Sequence, residues 1–318
     1  MSTALPTEPS QTCTALGPGD FELALGEKLS PFVIQQIQKY NFIYENFSAA
    51  EQEKLLIKII DTLLNPELMK SGEHRLSQWE SGWGENLQAL SRNPGDSSQI
   101  VPGYFNKYSA VRWQGRFLKP LSEKFEFYSL AIILDWLFDK YCRKATTIYE
   151  FGCGTGHNLI HLREINPHAT LWGLDWATSS QDILKQIARD HLCTDIHEHR
   201  FDYFNPDTGF ILAPDSIVYT VASLEQIGDR WQPYTEYLLA QKPALCIHVE
   251  PIAELLDYDV LLDNLSCKYF RKRNYLHGFL DGLRALECEG RVCIHRAQRT
   301  GIGSLFIEGY SVIVWSPL

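Results

Sequence analysis

No two of the eight cysteines form a CxxC pair. That absence removes the zinc knuckle and the dithiol redox motif, both of which need closely spaced thiolates. With 318 residues, 45% of them hydrophobic, the chain has no need of a disulfide framework in place of a core, so the cysteines read as reduced packing residues. No apolar run reaches the length of a bilayer span, which argues against a membrane protein. Residues 1–20, "MSTALPTEPSQTCTALGPGD", lack a basic start and an apolar stretch. They read as a disordered polar tail rather than a signal peptide, and the expected location is the cytoplasm. Positive charge is short as well: the net charge of −10 speaks against nucleic acid as a partner, because such binding rests on neutralised phosphates. The richest basic patch is "RKR" at 271–273, and no "NPPY"-like motif of base-modifying enzymes occurs. There is no internal repeat and no low-complexity segment.

The first third of the chain reads as helical. Ser30-Pro31 forms an N-cap followed by a first-turn proline. Ser48 and Glu51 fit a capping box, after which Leu55, Leu56, Ile59, Ile60 and Leu63 repeat at helical spacing. The stretch "SQWESGWGENLQALSRNPGDSSQIVPGYFNKYSAVRWQGRF" is dense in Gly, Pro, Asn, Ser and aromatics and is not expected to be one regular element. Long segments of that kind are binding loops or lids. Residues 21–117 are therefore expected to be a helical cap with an aromatic lid, Trp79, Trp83, Tyr104, Phe105, Tyr108 and Trp113.

From 118 onward the pattern changes. "SEKFEFYSLAIILDWLFDKY" reads as a helix capped by Ser122, and short apolar runs then alternate with helical ones: "TTIYEF", "ATLWGLD", "HEHRFDYF", "SIVYTV" and "ALCIHVEP" as strands, with helices between. That alternation predicts an α/β, doubly wound sheet of mainly parallel strands. "RVCIHRAQRT" and "EGYSVIVWSP" follow one another with only a short loop, so they are expected to pair antiparallel.

The stretch "IYEFGCGTGHNL" raises the question of a ligand. A glycine-rich turn from strand to helix lets a ligand lie against bare backbone at the helix N-terminus. The dinucleotide fingerprint is GxGxxG, whereas Gly152, Gly154 and Gly156 make a GxGxG with His157 where the third dinucleotide glycine would stand. A histidine there crowds a pyrophosphate, which argues against a nicotinamide or flavin enzyme. Asp175 ends the next strand, 19 residues after Gly156, where an acid accepts from ribose hydroxyls. Asp202 ends the strand after that and is placed to accept from an adenine amino group.

"EFGCGTG", Asp175, Asp202 and "VASLEQIGD" together resemble the class I S-adenosylmethionine-dependent methyltransferases over residues 122–318. The resemblance implies a seven-stranded sheet with an antiparallel C-terminal hairpin; it does not reach residues 1–117, which hold the expected N-terminal helical cap. It implies S-adenosylmethionine as cofactor, with Glu150, Gly152, Gly154 and Gly156 beside the methionine half and Asp175 on the ribose. Trp176 covers the adenine, Asp202 with Tyr203 contacts it, and Thr220 to Ala222 face cofactor and acceptor. Family members often carry "LEH" where this chain has Leu224-Glu225-Gln226, so a catalytic histidine is missing there.

Methyl transfer from a sulfonium needs alignment and desolvation, and a base only where the acceptor must lose a proton. Glu225, His248 and Glu250 are the candidate bases, the last two sharing one strand face. His248 also reads as a hydrogen-bonded core residue. Tyr108, Arg116, Tyr275 and His277 are the candidate substrate contacts, with Arg112 a further cation in the lid. "CKYFRKRNYLHGFLDGL" reads first as a solvated helix face; facing a pocket, it favours an anionic acceptor. Gly301-Ile-Gly303-Ser304, flanked by Arg296 and Arg299, reads as a flexible loop near the same end. The pair His197 and His199 lacks further ligands, and paired acids for a catechol-type metal centre are not found, so no metal is expected. The expected acceptor is the N or O of a small metabolite or natural-product intermediate. The alternatives are a peptide or protein side chain, or a non-catalytic protein that only binds the adenosyl cofactor. The oligomeric state is left open.

Overall fold

The structure is a computed structural model, and it describes residues 13–105 and 107–318. Residues 1–12 of the expected tail lie outside the described residues, but 13–20 are ordered: β1 (Thr14–Ala15) leads straight into α1 (Pro18–Leu25). Phe21 and Leu25 anchor that helix with no exposed surface, which is why order begins earlier than composition suggests. Ser30 accepts the Val33 N–H at the start of α2 (Pro31–Lys39). After β2 (Ile43–Asn46), the reciprocal Ser48–Glu51 box opens α3 (Ala49–Leu64).

The tryptophan-rich stretch differs from expectation. It contains a 17-residue helix, α4 (Leu76–Arg92), that runs through Gly82 and Gly84. Trp79, Trp83, Leu87 and Leu90 fall at helical spacing and make one apolar stripe, whose burial outweighs the ~1 kcal/mol that each glycine costs a helix. Next, β3 (Val111–Trp113) and β4 (Arg116–Pro120) form a tight hairpin over Gln114 and Gly115, with φ of 47° and 75°. Two positive φ values in a two-residue loop match the twist of the flanking strands. The N-terminal cap is thus mixed helix and sheet, not helical alone.

The larger body follows in regular alternation. Helix α5 (Phe125–Leu137) starts after Lys124 rather than at Ser122, whose hydroxyl accepts the Lys124 N–H in the preceding turn. Then come β5 (Thr147–Phe151), α6 (His157–Ile165), β6 (Thr170–Asp175), α7 (Thr178–Arg189), β7 (Ile196–Arg200) and β8 (Ile217–Val221). They are followed by α8 (Gln232–Gln241), β9 (Leu245–Glu250), α9 (Leu261–Arg273), α10 (Phe279–Cys288), β10 (Val292–Gln298), β11 (Ile302–Gly303) and β12 (Ser311–Pro317). Seven strands form one sheet in the order β10-β12-β9-β8-β5-β6-β7. The neighbours from β9 to β7 run parallel, while β12 is antiparallel to both β9 and β10. The doubly wound sheet and its antiparallel ending are as the sequence predicts.

The loop Gly301–Gly303 is not free. β11 pairs antiparallel with β3 and completes a second sheet, β1-β2-β4-β3-β11. Arg299 beside it is held by Asp263 and Glu308, and Arg296 by Glu27. The two sheets share hydrophobic core: Phe21 packs on Phe42 and Trp113, and Phe42 on Phe125. Among the described residues no helix is long and apolar enough to cross a membrane.

Candidate functional site

Strand order reverses between β5 and β8, and a crevice opens there beyond the carboxyl ends of the strands. A cavity of about 750 Å³ occupies it, within the range of small-molecule sites. One wall is the glycine turn after β5. The Gly152 and Cys153 N–H groups both reach the Leu174 carbonyl at the end of β6, at 2.7 and 3.0 Å. Asp175 fastens the turn further, its Oδ2 accepting the Gly154 N–H and its Oδ1 the Ala177 N–H, each at 2.9 Å. Burial pushes the Asp175 carboxyl up to about 6, against the pull of those backbone donors. An ionised carboxylate has about four acceptor positions, so room for further donors remains on the cavity side.

The three glycines serve different neighbours. A Cβ on Gly152 would fall 2.4 Å from the Ser223 Cβ, and one on Gly156 would fall 2.5 Å from Leu184. Gly156 therefore packs against α7 and does not line the cavity. Gly154, at φ +53°, lies under Trp83 of α4, with 2.9 Å between its would-be Cβ and the indole. Glu150 lies beneath the turn, buried, accepting from Asn158 at 2.8 Å and from the Tyr219 hydroxyl at 3.0 Å. Burial raises it to about 8. Trp176 and Tyr203 line the cavity as well, and the Tyr203 hydroxyl meets the Ser223 hydroxyl at 2.9 Å.

Other expected contacts lie elsewhere. Strand β7 ends at Arg200, so Asp202 sits in a turn where its carboxylate accepts the Phe204 N–H; it is not among the cavity's walls. Thr220 is turned into the core, 2.9 Å from His248 Nδ1. His248 has no exposed surface, and its other ring nitrogen accepts from Trp315 Nε1 at 2.9 Å. Burial drives its pKa down to about 3. It is a neutral core residue, with neither nitrogen free for a substrate. Glu250 is equally enclosed: it accepts the N–H groups of Ser223, Leu224 and Glu225 and so caps the short turn after β8. Burial holds it near 7 despite those donors. Of the three candidate bases only Glu225 faces the cavity. It is raised to about 8, first by burial and then by the charge of Glu250.

The lid residues also divide. Trp79 and Trp83 stack with ring centres 5.3 Å apart and line the cavity with Tyr104, Phe105 and Tyr108. Trp113 is buried against Phe21 instead. Glu80, between the two stacked tryptophans, accepts the N–H groups of Thr178 and Ser179 and fixes α4 on the start of α7. Arg116 points away from the cavity, over the Tyr44 ring. Arg112 is consumed by the Leu262 and Leu305 carbonyls and the Ser266 hydroxyl. Tyr275 lines the cavity, but His277 is exposed and bonded to the Tyr275 carbonyl. His197 and His199 go to different aspartates, Asp195 and Asp207.

Sequence reading missed Arg75 and Gln226. The Gln226 Oε1 accepts from Arg75 Nη1 at 2.7 Å and from the Ser71 hydroxyl at 3.0 Å, while its Nε2 donates to Glu225 at 2.7 Å. The residue that interrupts the "LEH" pattern thus links the cap to the candidate base. Only a signal of proximity across 151 positions would have found it.

No family model and no curated protein sequence matches this chain. Solved structures similar to it include magnesium protoporphyrin IX methyltransferase from Synechocystis PCC 6803 with bound S-adenosylhomocysteine. That match has 14% identity and a TM-score of 0.44, covering 59% of this chain and 81% of that one. Another is the N-methyltransferase NodS from Bradyrhizobium japonicum WM9 in complex with S-adenosylhomocysteine, at 10% identity and a TM-score of 0.44, covering 73% and 98%. Human N-acetylserotonin methyltransferase in complex with S-adenosylmethionine is similar at 12% identity and a TM-score of 0.41, covering 82% and 66%. Likeness of this degree carries no argument about substrate or residue roles; those rest on the site itself.

Proposed function

We propose that this protein is an S-adenosylmethionine-dependent methyltransferase acting on an N or O atom of a small metabolite or natural-product intermediate. The observation that carries the reading is Asp175. Its carboxylate holds the glycine turn from below and lines the cavity at the end of β6, with Trp176 beside it. The cradle suits a nucleoside bearing an amino acid: Gly152 and Gly154 line it without side chains of their own, packed against Ser223 and Trp83, and His157 lines the wall where a pyrophosphate would need open space. When bound, the cofactor would supply an electrophilic methyl group on a sulfonium, taken up in line by the acceptor as the C–S bond breaks and S-adenosylhomocysteine leaves.

The chain's own residues then have distinct tasks. Asp175 receives the ribose hydroxyls on its free lone pairs, and Trp176 flanks the base. The stacked pair Trp79 and Trp83 excludes water above the glycine turn, which favours a reaction that disperses charge. Glu225 accepts the proton that an N–H or O–H acceptor must release. Its raised pKa places it near neutrality, where a general base works best. A cavity of about 750 Å³ under an aromatic lid supports a small acceptor over an extended chain. Calorimetry with S-adenosylhomocysteine tests the reading: the wild type should bind it, and failure to bind would end the proposal.

A further inference from the structure

The cavity wall holds two cations that the mechanism above does not use. Arg75 reaches it from the segment before α4 and Arg273 from the last turn of α9. Ser71 ties the two segments together, its N–H donating to the Arg273 carbonyl at 2.7 Å and its hydroxyl to Gln226 at 3.0 Å. Among the described residues neither guanidinium is paired with a carboxylate. Arg75 is only 8% exposed and donates to two neutral amides, Gln78 at 3.1 Å and Gln226 at 2.7 Å. Its guanidinium also lies 4.9 Å from the centre of the Trp79 ring. Arg273 lies over the rings of Tyr275 and Tyr269, at 5.1 and 5.9 Å, and its Nε is buried without a partner.

A buried cation such as Arg75 is normally matched by an anion, because nothing else offsets the cost of stripping its water, and Arg273 beside it is half-buried. These two also disfavour each other: Arg75 is lowered first by burial and then by the charge of Arg273. Aromatic faces and amide oxygens orient both forks, and the single carboxyl of Glu225 on the same wall, which feels both guanidinium groups, offsets two positive charges only in part. Of the "RKR" run, only Arg273 takes part. Arg271 turns to Tyr258, and Lys272 bonds the Leu63 carbonyl.

We infer that Arg75 and Arg273 form a recognition site for an anionic group, a carboxylate or a phosphate, carried by the acceptor molecule. The inference rests on the methyltransferase reading for the word "acceptor" and adds the substrate's charge class to it. Arg is suited to the task because its planar fork binds such oxygens two at a time. The aromatic rings of Tyr269 and Tyr275 beside Arg273 favour an acceptor with a flat or apolar body behind that anion.

The test uses the full chain, wild type and the separate variants Arg75→Gln and Arg273→Gln, each checked for an unchanged melting profile. Arg273→Lys serves as a second probe that keeps the charge. Inorganic phosphate is titrated by phosphorus NMR and benzoate by saturation-transfer NMR, with and without S-adenosylhomocysteine. The expected result is binding of both anions to the wild type, weakened about tenfold in each Gln variant, with cofactor-product affinity held within about twofold. Equal anion binding in wild type and variants, or none in the wild type, overturns the inference. A loss of S-adenosylhomocysteine affinity with 5′-methylthioadenosine affinity intact also overturns it, since the arginines would then hold the cofactor's own carboxylate. If the wild type binds the anions but never S-adenosylhomocysteine, the methyltransferase reading fails while the anion site stands by itself.

Discussion

Trp83, on a helix of the N-terminal cap, lies across Gly154 at the bend of the glycine turn, closing the space above it to 2.9 Å from a would-be Cβ. Any ligand seated on that turn therefore meets this indole. Addition of S-adenosylhomocysteine should change the intrinsic tryptophan fluorescence, and Trp83→Phe should remove most of the change. An unaltered signal in the wild type would mean that the ligand does not reach the turn.

The same contact makes Gly154 intolerant. Gly154→Ala puts a methyl group against Trp83 at a positive φ of +53°. The expected cost is about 1–2 kcal/mol of stability, together with weakened S-adenosylhomocysteine binding. Thermal melts and calorimetry on the variant check both.

Asp175→Ala should weaken S-adenosylhomocysteine by more than about tenfold, the worth of one or more charge-assisted hydrogen bonds. Because the Asp175 carboxyl sits at about 6, affinity in the wild type should fall as pH drops below that value. A flat affinity between about pH 5 and about pH 8 would remove Asp175 from the binding role.

If Glu225 is the base, its carboxylate form is the active one, so turnover should rise with pH and level off above about 8. Glu225→Gln should lose about 10²-fold in turnover and flatten the profile while still binding cofactor. His248→Ala gives the contrasting outcome. It should cost about 3 kcal/mol by opening a cavity and leaving Trp315 unbonded, with the pH profile unmoved.

Glu150 allows a check on stability. Burial raises it from 4.5 to about 8, so the folded state holds a proton that the unfolded state has already lost between those values. The stabilisation is complete below about 4.5 and disappears as pH rises through 8. The melting temperature of Glu150→Gln relative to wild type should therefore climb from acidic to alkaline pH. A constant difference would show that Glu150 ionises freely.

The alternating strands and helices from Thr147 onward were legible because each buried run has its own period, bounded by turn residues. The glycine turn and Asp175 were legible for a local reason too: strand, turn and acid lie within a few dozen positions. What stayed hidden was the direction of side chains at strand ends. His248 and Glu250 lie two apart on β9, and both are taken up inside the fold by Trp315 and by the turn after β8. Helix α4 was obscured by Gly82 and Gly84, although its stripe of Trp79, Trp83, Leu87 and Leu90 was there to be counted. The Gln114-Gly115 hairpin was likewise masked by the surrounding glycines and aromatics.

The strand β11 closes the edge of the small N-terminal sheet with residues that lie nearly two hundred positions downstream of β3. A nascent chain leaving the ribosome therefore exposes the outer side of β3 until Gly303 has emerged. The small sheet of the cap cannot complete its pairing ahead of the body it covers.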